Sequence, residues 1–237
     1  MIKELKGLRI RQRTVERLGC IKGCLEYLGS DVSFPWLYGG TGQAFIISLA
    51  PGVDVSSPDS WDHRPQLDLG RNLGYTVDGF GVWEPDAADQ RRAWDFVRAN
   101  IDRGVPCFGF ELKAPYGGYW VIYGYDEIGY YYSGWEEGGP MPWEKLGQLF
   151  IPNLEVRSVQ RCAAAPAAKT VKEGLAYAFR QAENPPEWIE AQAQAGPAAW
   201  AYWAQALEEG EAKRDHHTYN LGLWLECREM AVAFLQE

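Results

Sequence analysis

The chain has 237 residues, of which 46% are apolar, 14% aromatic and 23% charged; with 11 Trp and 13 Tyr it can bury a sizeable core and is too aromatic for a disordered polymer. The formal net charge is −9, and the only basic concentration lies in residues 3–17, which argues against nucleic acid and anionic membrane as partners. Residues 1–6 hold no apolar signal core and no long apolar run occurs elsewhere, so a cytoplasmic location is expected.

In chain order, Arg9, Arg11, Arg13 and Arg17 alternate with Leu8, Ile10 and Val15 ahead of a helix. Within that helix Leu18, Ile21, Leu25 and Leu28 share one face and Cys20, Cys24 and Tyr27 another, and Gly29 marks the stop. Gly39, Gly40 and Gly42 beside Thr41 and Gln43 suggest a backbone that approaches something closely, followed by a strand. No Lys-Ser/Thr follows, so a phosphate loop is not expected. A Pro-rich loop over 51–65 carries His63, and a short helix over 66–78 ends at Gly74. Residues 87–103 read as a helix stopped by Gly104, and 105–112 as the start of a strand. A hairpin follows over 119–126 and 129–133, then a helical turn at 143–146 and a last strand over 149–159. Past Cys162 the composition turns to Ala and Pro, which places a domain boundary at 160/161. Thr170 and Glu173 read as a capping box, Pro197 as a first helical residue, and 218–236 as a helix with His216-His217 just before it.

Cysteine chemistry is the first question these residues raise. Five cysteines with one close pair, Cys20 and Cys24, give no disulfide framework, and no second metal-spaced pair exists except His216-His217, so neither a metal nor a cofactor is expected. Cys20 reads as the opening turn of its helix, where free N–H groups and the macrodipole favour a thiolate. The expected role of Cys20 is therefore that of a nucleophile.

The run Cys20-Ile21-Lys22-Gly23-Cys24-Leu25, the hairpin Val121-Ile122-Tyr123-Gly124-Tyr125-Asp126 and the glycines at 39–42 together resemble papain-like cysteine enzymes. The resemblance is closest to two bacterial groups: the double-glycine leader peptidases and the butirosin-biosynthesis protein H amino-terminal family, an acyltransferase group. It implies an α+β, papain-like domain over 1–160, with a nucleophile-position helix packed on an antiparallel sheet, and a C-terminal helical extension over 161–237. It also implies a cleft beside Cys20 in which Gly40, Thr41, Gln43, Tyr119 and Trp120 bind a small acyl, peptide-like or aromatic ligand.

The chain departs from the family at its reacting groups. The position of the base histidine, six residues before Gly124, holds Gly118 with Tyr119 beside it, and neither can take a proton at neutral pH. The orienting carboxylate position falls on Ser133-Gly134-Trp135, and the oxyanion glutamine position on Thr14, with Gln12 two places off. Without a base, proton transfer worth about 10²–10⁴-fold is lost, and amide cleavage suffers most. The expectation is a papain-like protein without the standard machinery that binds a ligand; acyl transfer by Cys20 with a base such as His63, His216 or His217, and a purely structural protein, are the alternatives. Asp126 is expected as a turn residue and Glu111 as a solvated strand-end charge.

Overall fold

The computed structural model describes residues 1–113 and 117–237. The first third holds β1 (Lys3–Glu4), α1 (Glu16–Tyr27), α2 (Phe34–Gly40), β2 (Ser48–Leu49) and α3 (Arg64–Asp68). The middle holds β3 (Tyr75–Trp83), α4 (Ala87–Asp102), β4 (Cys107–Phe110), β5 (Tyr119–Tyr125), β6 (Gly129–Ser133), β7 (Glu137–Pro142) and β8 (Asn153–Arg161). The last third holds α5 (Ala167–Ala182), β9 (Gln194–Ala195), α6 (Gly196–Glu208) and α7 (Arg214–Gln236). They divide into two units, residues 1–32 with 75–162 and residues 33–74 with 163–237. The composition break near 160 recurs as a unit edge at Cys162. Segment 33–74, which the sequence reading places in the first domain, belongs with the C-terminal helices.

The first unit is an antiparallel α+β layer. Its sheet runs β3-β8-β4-β5-β6-β7, with β1 paired to the far end of β5. The nine-residue ladder of Tyr75–Trp83 on Asn153–Arg161 is the longest pairing, and the sequence reading lacks β3 altogether. Gly79 and Gly81 obscure the alternation there: a Cβ at Gly79 would lie 2.1 Å from the Val156 carbonyl oxygen, so glycine is what lets these strands meet. Helix α4 starts at a capping box, in which Asp86 accepts from the Ala88 and Asp89 amides and Asp89 returns a bond. Its Trp94 meets Tyr125 and Tyr130 edge-on at 5.6 and 5.2 Å and stacks on Trp143 at 6.0 Å.

Helix α1 lies against β5, β4 and β8 and is buried continuously from Arg17 to Leu25. Two glycines one turn apart explain how. A Cβ at Gly19 would sit 2.3 Å from the Arg11 carbonyl oxygen, and one at Gly23 2.0 Å from that of Arg9. Residues 9–11 therefore run flush along the helix, with the Arg11 amide donating to the Gly19 carbonyl at 3.1 Å. Gly23→Ala is expected to destabilise the protein by about 3 kcal/mol, read as a lower denaturant midpoint, because the obstacle is backbone rather than a movable side chain. An unchanged midpoint would show that residues 9–11 are not held there.

The second unit is built from helices, with β2 and β9 as a two-residue ladder. Gly39 lies under the Phe234 ring, Gly40 against Leu73 and Thr170, and Gly174 against the Gly39 and Gly40 carbonyls. The glycine run is thus a contact surface for α5 and α7, which no local pattern encodes. The capping-box reading of Thr170 and Glu173 is corrected. The helix already begins at Ala167, Thr170 donates to the Asn72 backbone carbonyl at 3.2 Å, and Glu173 accepts from the Asn72 side-chain amide at 2.6 Å. His216 and His217 lie inside the first turn of α7, which begins at Arg214.

Candidate functional site

Cys20 stands in the second turn of α1, four residues past the first helical residue, Glu16. It is fully buried, as are Cys24 and Cys107. Burial, with Cys24 and Glu16 nearby, pushes the Cys20 thiol well up; burial, with Cys107 nearby, does the same to Cys24. Both stay protonated at neutral pH. The helix N-terminus that would favour a thiolate belongs instead to Glu16.

Around Glu16 the structure gathers the positions at which the sequence reading looks for machinery. Its Oε2 accepts from the Tyr119 backbone amide at 2.9 Å, and its Oε1 accepts from the Trp135 indole N–H at 2.6 Å. Gly118 packs on the same carboxylate, with a Cβ there only 2.2 Å from Oε2. Gln12 donates its side-chain amide to the Gly134 carbonyl. Gly118, Tyr119 and Trp135 therefore meet at the start of α1, and Gln12 is tied to Gly134 next to Trp135. The first three converge on a half-buried carboxylate rather than on a thiol. The signal in the sequence was an acidic residue at the first helical position after an arginine-rich lead-in, a common surface pattern that carries no site information by itself.

The residues expected to bind a ligand fall in both units. Tyr119 and Trp120 are core: Tyr119 packs on Phe108 and Phe110 and donates its hydroxyl to Glu155 at 3.1 Å, while Trp120 meets Tyr132 edge-on at 5.3 Å. Gly40, Thr41 and Gln43 lie in the second unit, all buried. The Thr41 hydroxyl donates to the Leu37 carbonyl at 2.7 Å. Gln43 accepts from the Gln66 side chain at 2.7 Å and donates to the Cys227 sulfur at 3.7 Å.

The three histidines all belong to the second unit, so the first unit contains no imidazole. His63 lies edge-on to Trp61 and near Asp59, His216 pairs with Asp54 at 3.2 Å, and His217 accepts from the Trp203 indole at 3.0 Å. Asp126 does what a turn aspartate does, accepting from the Ile128 and Gly129 amides and the Tyr131 hydroxyl, and those bonds lower its pKa. Glu111 differs from expectation. It is fully buried at the end of β4 with φ +57°, one carboxylate oxygen accepts from the Ile151 amide at 2.6 Å, and the other has no hydrogen-bond partner among the described residues. Burial raises its pKa, and the strand end it was expected to leave for solvent is covered by residues 150–151.

Two open grooves lie elsewhere: one of about 370 Å³ edged by Glu84, Phe150 and Ile151 in the first unit, and one of about 250 Å³ edged by Phe45, Trp200 and Arg228 in the second. Neither is lined by Cys20. Among the described residues no group of three or more His, Cys, Asp or Glu is placed to hold a metal ion, and no helix is long and apolar enough to cross a membrane. No protein-family model matches the chain, and neither does any curated protein or any solved structure. The fold and site therefore define the class no further than a mixed α+β protein with an antiparallel sheet.

Proposed function

We propose that this chain is a papain-like protein that is catalytically silent and works by binding a small peptide-like or aromatic ligand at the start of α1. The observation that carries the reading is Glu16 in the first turn of the helix, held by the Trp135 indole and the Tyr119 amide where a thiolate, histidine and orienting carboxylate would otherwise meet. The buried thiols offer a substrate no approach. Recognition remains available, because Trp135 is 67% exposed beside Glu16 and presents a large flat ring to solvent.

Acyl transfer by Cys20, the alternative reading, needs a base within hydrogen-bond reach and a path to the sulfur. Burial and the neighbours Cys24 and Glu16 speak against it.

The test pairs turnover with binding. Wild-type protein and Cys20→Ala are expected to cleave acyl thioesters and fluorogenic peptides no faster than buffer. Hydrophobic dipeptides are expected to quench tryptophan fluorescence in the wild type, with at least about a tenfold weaker affinity in Trp135→Ala. An acyl adduct on Cys20 in the intact mass spectrum would overturn the silent reading, and equal affinity in Trp135→Ala would overturn the binding site.

A further inference from the structure

We infer that the exposed faces of α6 and α7 form a homodimer interface in which α7 of one copy pairs antiparallel with α7 of another. Helix α7 already uses one face for its own unit, burying Leu223, Trp224, Cys227 and Phe234. A second apolar stripe beside that face is open: Leu221, Leu225, Val232 and Leu235 are 51, 56, 57 and 68% exposed. With Arg228 filling the middle place, the stripe advances by four, three, four and three residues. That is a repeat of 3.5, the period of a seam between two helices that coil round each other. A helix meeting only solvent has no reason to keep it.

Helix α6 extends the surface. It exposes Trp200 and Leu207 at 47 and 48%, with the small exposed residues Ala201 and Ala204 between them. The two stripes join at Arg228, whose guanidinium lies 6.0 Å from the Trp200 ring. It donates to the Ala44 carbonyl at 2.5 Å and the Ile46 carbonyl at 2.7 Å, which turns the charge inward. The groove of about 250 Å³ beside it, walled by Phe45, Ile47 and Pro197, is open to a side chain of a facing helix.

Charge selects the occupant and its direction. Lys213 and Arg214 stand at the start of α7 against Asp215, while Glu226, Glu229 and Glu237 lie in or just past its second half, where Arg228 turns its charge onto the Ala44 and Ile46 carbonyls. Antiparallel pairing of two copies sets each acidic end opposite a basic one, and parallel pairing sets like on like. The net charge of −9 disfavours an anionic membrane as the cover. Two copies contribute a four-helix layer whose longer helices, at 23 residues, run about 35 Å, the scale of a standard protein–protein interface.

Light scattering and sedimentation of the full chain test this. The wild type is expected to be a dimer at about 10 µM. Leu225→Glu and Val232→Glu, both at exposed positions, are expected to raise the dimer dissociation constant at least about 100-fold with circular dichroism unchanged. In a Cys162→Ser background, oxidised Leu225→Cys near the helix middle should form a self-linked dimer, and Leu235→Cys near its end should not. A wild type that is monomeric at about 100 µM, or a dimer indifferent to both glutamates, overturns the interface. A monomer that binds zwitterionic vesicles through Leu225 overturns it too. Self-linking at Leu235→Cys overturns the antiparallel direction.

Discussion

Alkaline conditions are expected to unfold the first unit steeply from about pH 9 upward. Cys20, Cys24 and Cys107 are buried there, and burial raises all three thiols above the value of about 8.5 that an unfolded cysteine has. A group whose pKa is higher in the folded state stabilises that state fully below the unfolded value. The contribution disappears as pH rises, because the unfolded thiols ionise while the folded ones cannot. Each such thiol costs about 1.4 kcal/mol of stability per pH unit above the unfolded value. Three together make a slope of about 4 kcal/mol per pH unit, which would exhaust a stability of ordinary size within two to three units. Cys227 adds the same effect to the second unit; burial pushes its thiol up to about 12, against a lowering bond from Gln43. Tyr75 and Tyr130, both fully buried and raised, steepen the loss beyond about pH 10.

Denaturant midpoints at a series of pH values measure this directly, with Cys20→Val expected to remove about a third of the slope in the first unit. Thiol counting gives a second readout. A disulfide reagent at neutral pH should titrate one fast thiol, the exposed Cys162, and four more only in denaturant. Alkylation of Cys20 should be at least about a thousandfold slower than that of Cys162, since it waits on unfolding. Midpoints flat to about pH 10.5, or a second fast thiol, would show that the helix face bearing Cys20 is open.

Moving the thiol four residues back should create the reactivity that Cys20 lacks. Glu16→Cys places sulfur in the first turn of α1, beside the Tyr119 amide and the Trp135 indole N–H that now hold the carboxylate. Those donors and the helix dipole favour a thiolate, and cysteines so placed have pKa values of roughly 3.5–7.5. In a Cys162→Ser background the variant should react with iodoacetamide at pH 6.5 at least about tenfold faster than Cys162 does in the wild type. The midpoint of its rate–pH profile should fall below about 8.5. Adding Gly118→His is sterically open only then, because the Glu16 carboxylate blocks a Cβ at Gly118. The backbone at Gly118 has φ +153°, so a histidine there carries strain on the order of 1–3 kcal/mol, and the double variant should melt lower while reacting faster. An ordinary or raised midpoint in Glu16→Cys would show that the start of α1 does not favour a thiolate.

How far the sequence could be read differs by element. The α4 helix, the β5–β6 hairpin and the Pro197 helix start carry their signals locally, in caps, periodic apolar positions and turn glycines, and the structure holds them there, with Pro197 second rather than first in its helix. Strand β3 escaped because its glycines serve a partner strand some eighty residues away, and local alternation cannot show that need. Glu111 escaped for a similar reason, since whether a strand-end carboxylate meets water depends on a loop forty residues later.

The sequence by itself determined that the chain has a sheet-bearing part and a helical part, that a cysteine-bearing helix comes early, and that the positions six residues before Gly124 and after Ser133 hold no acid–base pair. Those are statements about residue type and short-range spacing, which the chain carries in one dimension. Only the tertiary structure decided that Cys20 faces inward, that segment 33–74 packs with α5 and α7, and that Glu16, Gly118 and Trp135 meet. The reason is geometric. A thiol's ionisation is set by what surrounds it, and burial is a sum over neighbours distant in sequence, so the same four-residue step that leaves Cys20 protonated leaves Glu16 at the charged end of the helix.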